Sequence, residues 1–134
     1  MGKRETPVQN SIRLAAALHD CALFRINTGR GWTGNNVERL PSGKVLIHDP
    51  RPFSTGVPTG YPDLAGWTPV VITPEMVGKK MAVFTAVEVK AGSRKATAKQ
   101  KAFIDSVIKA GGYAGVANSD EAFYLIIKKD PEGG

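Results

Sequence analysis

Residues 81 to 89 read Met-Ala-Val-Phe-Thr-Ala-Val-Glu-Val, and no other segment constrains the fold as strongly. Side chains alternate along a strand, so Val83, Thr85, Val87 and Val89 share one face while Ala82, Phe84, Ala86, Glu88 and Lys90 share the other. Both faces are mostly apolar, the pattern of a strand covered on each side and therefore central in its sheet. Helices must supply those covers. The first is predicted over residues 6 to 20, with Thr6 as cap, Pro7 at the first helical position and Gln9 completing a capping box. Val8, Ile12, Ala15, Ala16 and His19 share its inner face. Thr97-Ala98-Lys99-Gln100 is a second capping box, opening a helix that Gly111-Gly112 stops. Short strands are predicted at 21–26, 64–72 and 113–117, a helical turn at 73–76, and a short helix or extended segment at 119–127. This order implies a mixed central β-sheet flanked by helices, an α/β or α+β arrangement, of which α/β is the class expected.

The chain of 134 residues suits one domain, residues 1–134, and 42% apolar residues allow a core without disulfides. Cys21 is the only cysteine, so a disulfide scaffold is excluded. No window approaches the ~18 uninterrupted apolar residues of a membrane span, and the first residues carry no signal-peptide pattern. No membrane partner and a cytoplasmic location are therefore expected. Lys and Arg number 18 against 12 Asp and Glu, a net charge of +6 that favours a polyanionic partner. Residues 28–62 contain 6 Gly and 5 Pro and are expected to form a long loop. Within it, residues 37–40 and 44–48 flank Pro41-Ser42-Gly43 as a small hairpin. Residues 128–134 are expected to fray.

The chemistry concentrates at the end of the apolar run. Glu88 and Lys90 project from one face, about 7 Å apart along the strand by its rise per residue. A carboxylate there is partly desolvated and needs compensation from Lys90, a metal or both. The plain reading is a salt bridge at a strand end. Gln100 shares a helical face with Phe103, Val107 and Ala110, the face turned to the sheet, so its amide is aimed near Glu88. That role competes with the capping box, since the two cannot use one amide fully. Lys90, Arg94, Lys95, Lys99 and Lys101 follow with no acid among them, a run that is either a solvated face or a receiver of phosphates. In Gly60-Tyr61-Pro62-Asp63-Leu64, Pro62 fixes the backbone ahead of Asp63. Either this is a simple turn, or Asp63 enters the sheet beside Glu88 and the two carboxylates share one hard cation such as Mg²⁺ or Mn²⁺.

Asp63 in its Pro-Asp turn, Glu88-Val89-Lys90 and the helix-opening Gln100 together resemble the PD-(D/E)XK nuclease superfamily and, within it, the VRR-NUC domain. The likeness extends to Glu5 and Gln9 in the first helix, Arg25-Ile26-Asn27-Thr28-Gly29, the approach Gly56-Val57-Pro58-Thr59-Gly60, and Gly111-Gly112 with Val116-Ala117-Asn118-Ser119. It runs from about residue 5 to 122 and suggests a stand-alone domain like those encoded by phages, in bacterial or phage-infected host cytosol.

The resemblance implies a restriction-endonuclease-like core and a Mg²⁺- or Mn²⁺-dependent deoxyribonuclease, selective for branched or Holliday-junction-like DNA and working as a homodimer. Asp63, Glu88, Lys90 and Gln100 become its catalytic residues. Asp63, Glu88, the Val89 carbonyl and Glu5 become metal ligands, although Pro7 leaves Glu5 just ahead of the predicted helix. Lys90 orients or activates the attacking water, and Gln100 helps to position it. Arg25, Arg94, Lys95 and Lys99 become DNA contacts. The alternative is a basic nucleic-acid-binding module without catalysis, and a weaker one is a dimeric scaffold using the long loop for partners. His19 and His48 have no ligand spacing, so no zinc site is assigned. Cys21 reads as a small buried hydrophobe. Trp32 and Trp67 either stack on bases or pack locally, and Arg30 with Trp32 is a weak candidate DNA contact.

Overall fold

The computed structural model describes residues 5–132. Its elements are α1 (Glu5–Leu18), β1 (Ala22–Arg25), β2 (Arg30–Thr33), β3 (Asn36–Arg39), β4 (Val45–His48), β5 (Arg51–Ser54) and β6 (Leu64–Trp67). A 3-10 turn at Pro74–Met76, β7 (Thr85–Val89), α2 (Ala98–Lys109), β8 (Tyr113–Ala117) and α3 (Asp120–Ile127) follow. Backbone proximity divides these into two compact units, Leu23–Ala65 and the remainder. The α/β class is as expected. The strands pair two by two, β1 with β6, β2 with β5, β3 with β4 and β7 with β8, so the hydrogen bonds among the described residues do not join them into one central sheet.

In the larger unit, β7 and β8 run parallel with Glu88 opposite Val116 and Val89 opposite Ala117. Parallel neighbours require a crossover, and α2 provides it. The ladder extends past both strand ends, where the Tyr113 N–H donates to the Phe84 carbonyl (2.9 Å) and the Lys90 N–H to the Ala117 carbonyl (3.0 Å). Among the described residues Val107 of α2 is the most deeply buried side chain, 1% exposed, and Ala117 is also buried. The turn from α2 into β8 passes very close to this centre. A Cβ on Gly112 would lie 2.7 Å from Val107 Cγ1 and 2.9 Å from the Phe84 carbonyl oxygen, so only glycine fits. Trp67 packs on Phe84 and Phe103 at ring distances of 4.9 and 6.0 Å.

Three expectations are corrected here. The apolar run at 81–89 forms a strand only from Thr85, hydrogen-bonds to β8 alone among the described strands, and leaves Val89 74% exposed. Its alternation was real, but alternation does not say how many neighbours a strand finds. The strand expected at 64–72 ends at Trp67, ahead of Pro69, which has no N–H to give a ladder. Helix α1 begins at Glu5 and ends at Leu18, which puts Thr6 inside the first turn; its buried residue is Gln9, while Val8 and Ile12 are exposed.

Within Leu23–Ala65 the expected hairpin is present as β3 and β4, with Val37 opposite Ile47. The loop around it is more regular than its Gly and Pro content suggested, because β2 and β5 form a second antiparallel ladder outside the hairpin.

α2 has both halves of its capping box, the Gln100 N–H donating to Thr97 Oγ1 (3.2 Å) and the Thr97 N–H to Gln100 Oε1 (2.9 Å). Thr97→Ala is expected to cost ~1 kcal/mol in chemical denaturation. Gly112→Ala is expected to cost about 1–3 kcal/mol, because the backbone of Phe84 cannot rotate away as a side chain could.

Candidate active site

β7 and α2 bring three of the sequence-predicted residues together. Glu88 leaves the strand on the face it shares with Ala86 and Lys90, all three of them half-buried. Lys90 folds back so that its Nζ stands 3.5 Å from Glu88 Oε1, half the separation of the two positions along the strand. From the first turn of α2, Gln100 Nε2 donates to the same Oε1 at 2.8 Å. The side chains of Lys90 and Glu88 are 19% and 32% exposed, so their attraction is less screened than that of a surface pair.

The predicted competition between the two roles of Gln100 does not arise. A primary amide accepts at its oxygen and donates at its nitrogen. Oε1 takes the Thr97 N–H of the capping box, and Nε2 is left to face the carboxylate. Glu88 and Gln100 border a groove of about 450 Å³, lined also by Ala86, Val87, Lys99, Phe103 and Ile104.

The other predicted residues lie as follows. Asp63 is exposed, immediately ahead of β6 in the unit Leu23–Ala65, and its carbonyl accepts the Ile26 N–H at 2.9 Å. Exposed Arg25 therefore stands one residue from that bond. Val89 closes β7 opposite Ala117. Arg94, Lys95 and Lys99 are all exposed, on and after the turn that follows β7. Helix α1 begins at Glu5, not after it, and the side chain of Glu5 lies outside the described residues. Sequence reading quoted Asn118 only within the closing-strand motif and missed its bond, in which Nδ2 donates to the Gly92 carbonyl (3.3 Å) and ties the basic turn to the end of β8. An asparagine just past a strand gave no signal of this. Trp67 proves to be a packing residue.

The donors suit a hard divalent ion. One oxygen of Glu88 carries both the amide and the amine, while Oε2 accepts no hydrogen bond among the described residues. The Asp63 carboxylate likewise forms no ion pair among them. No group of three or more His, Cys, Asp and Glu gathers among the described residues. That count is compatible with Mg²⁺, which takes one or two carboxylates and keeps several waters.

Residues 25–121, most of the chain, match the family model of the VRR-NUC domain. The match runs from the last residue of β1 to the start of α3 and includes Asp63, Glu88, Lys90 and Gln100. Comparison with curated proteins and with solved structures gives no match. With this match over the residues that form the site, the chain belongs to the VRR-NUC domain family, which gives it a nuclease-type function with DNA as its partner.

Proposed function

We propose that the chain is a Mg²⁺- or Mn²⁺-dependent endonuclease that hydrolyses DNA phosphodiester bonds, selective for branched DNA and acting as a homodimer. The observation that carries this reading is the carboxylate of Glu88, held at one oxygen by Lys90 and Gln100 in a chain of the VRR-NUC family. The net charge of +6 supports a polyanionic substrate. The core that this reading implies is restriction-endonuclease-like, with a mixed central β-sheet flanked by helices.

A phosphodiester resists hydroxide because its own charge repels the nucleophile, so the site must offset that charge and supply an oriented water. Asp63 and Glu88 would hold the ion, with the Val89 carbonyl and Glu5 as further ligands. Bound there, a divalent ion polarises a phosphoryl oxygen and lowers the pKa of attached water. The remaining work falls to this chain's side chains. Gln100 keeps the Glu88 carboxylate from rotating, and so keeps its second oxygen available. Lys90 offsets the carboxylate charge, and its ammonium would hydrogen-bond the attacking water. Arg25, Arg94, Lys95 and Lys99 receive the flanking phosphates.

Purified protein is expected to nick DNA with Mg²⁺ or Mn²⁺ and to lose that activity with EDTA. Lys90→Ala is expected to lower the rate by about 10²-fold or more. Steeply salt-dependent binding with no cleavage under either ion, unchanged in Asp63→Asn, would instead identify a binding module.

Two variants separate the site from the helix cap. Thr97→Ala removes half the capping box and is expected to lose ~1 kcal/mol, whereas Gln100→Ala removes the other half together with the bond to Glu88 and is expected to lose more. Only Gln100→Ala also releases Glu88, so cleavage is expected to fall in it alone. Equal activity in the two would show that Gln100 serves the helix and not the reaction.

A further inference from the structure

The β2–β5 ladder places Arg30 opposite Ser54, Gly31 opposite Phe53, Trp32 opposite Pro52 and Thr33 opposite Arg51. Opposed residues share a face of a sheet, so Arg30, Trp32, Pro52 and Ser54 form one face of this ribbon. The other face has contacts within the ribbon, although Phe53 there is itself 48% exposed. Phe53 lies across Gly31, where a Cβ would stand 2.7 Å from the ring, and Arg51 donates to Asn35 Oδ1 at 3.2 Å. On the first face the Arg30 and Trp32 side chains make no hydrogen bond, ion pair or ring contact among the described residues, and Trp32 is 64% exposed. Nor does a core await it within its own unit. The buried side chains among the described residues, Gln9, Val107 and Ala117, all belong to the other unit.

An open indole two residues from a guanidinium matches a nucleotide, which pairs an apolar base face with an anionic phosphate. The charge of the unit agrees. It carries Arg25, Arg30, Arg39, Lys44 and Arg51 against Glu38, Asp49 and Asp63, and Glu38 is engaged by His48 at 3.3 Å. In a closed duplex each base face is covered by its neighbours, so an indole finds a stacking partner only where bases are unpaired.

We infer that the Arg30–Trp32 face of the β2–β5 ribbon binds unpaired DNA, with Trp32 stacking on an exposed base and Arg30 contacting the adjacent phosphate. This rests on the nuclease reading and supplies it with a device for choosing branched or frayed DNA over continuous duplex.

The test is fluorescence anisotropy of the full chain in EDTA, with a labelled single strand and a duplex of the same length. Circular dichroism confirms that each variant is folded. Trp32→Ala is expected to weaken single-strand binding about tenfold while changing duplex binding less than about twofold, and Trp32→Phe to retain most of the affinity. Arg30→Gln is expected to weaken single-strand binding and flatten its salt dependence by about one unit of slope. Unchanged single-strand affinity in Trp32→Ala, an equal loss on both DNAs, or a change only in oligomeric state by size-exclusion chromatography would each overturn the inference. Binding is read without metal, so cleavage by the wild type and by Lys90→Ala judges the nuclease reading separately. Wild-type protein that binds neither DNA would overturn both.

Discussion

The amide of Gln100 is spent at both ends, and the arrangement of the candidate site depends on it. Its oxygen closes the first turn of α2 on the Thr97 N–H, and its nitrogen holds the carboxylate of Glu88 at the end of β7. A hydrogen bond to a charged group is worth ~1.5–3 kcal/mol, more than either half of a capping box contributes alone. Neither bond can be given up cheaply. Turning the amide over would set its oxygen against the carboxylate and its NH₂ against a backbone donor. The start of a helix and the end of a strand are thereby fastened together, with a charged oxygen fixed in orientation between them.

The backbone supports this at a distance. Parallel β7 and β8 are joined by α2, so the carboxyl end of β7 and the start of α2 meet at the same edge. Crevices outside the carboxyl ends of parallel strands are where α/β proteins commonly bind ligands. At the opposite end, Gly112 lets the returning chain pass within contact of Val107 and the Phe84 carbonyl. Packing and polar chemistry are thus separated along α2, with Val107 buried near its end and Gln100 at its start. A mutation near Gly112 therefore bears on stability and one at Gln100 on orientation, even though both lie at the limits of one helix.

What was legible in the sequence was what is local. Thr97 and Gln100 are three residues apart, and their reciprocal bonds follow from that spacing alone. Glu88 and Lys90 are two apart on a strand, which places them on one face whatever surrounds them. The hairpin of β3 and β4 was marked by Pro41-Ser42-Gly43, a turn written in three residues. What failed was non-local. Alternation along residues 81–89 could not reveal that, among the described strands, only β8 pairs with this one, and apolar spacing in α1 could not reveal that Gln9 is its buried side chain among the described residues. The β2–β5 ladder was missed because its strands lie about twenty residues apart and contain Gly31 and Pro52, residues that ordinarily argue against a strand. The polarity of Gln100 was read correctly and its capacity was not, because one side chain was assumed to serve one partner.

The account stands on Asp63 and Glu88 serving one cation. Diffraction from a crystal soaked in Mn²⁺, recorded for its anomalous signal, tests this most directly. The account predicts a single strong peak bound by oxygens of both carboxylates, with the Lys90 amine close by. A peak that touches only one of the two acids, or carboxylates standing too far apart to share an ion, would contradict it.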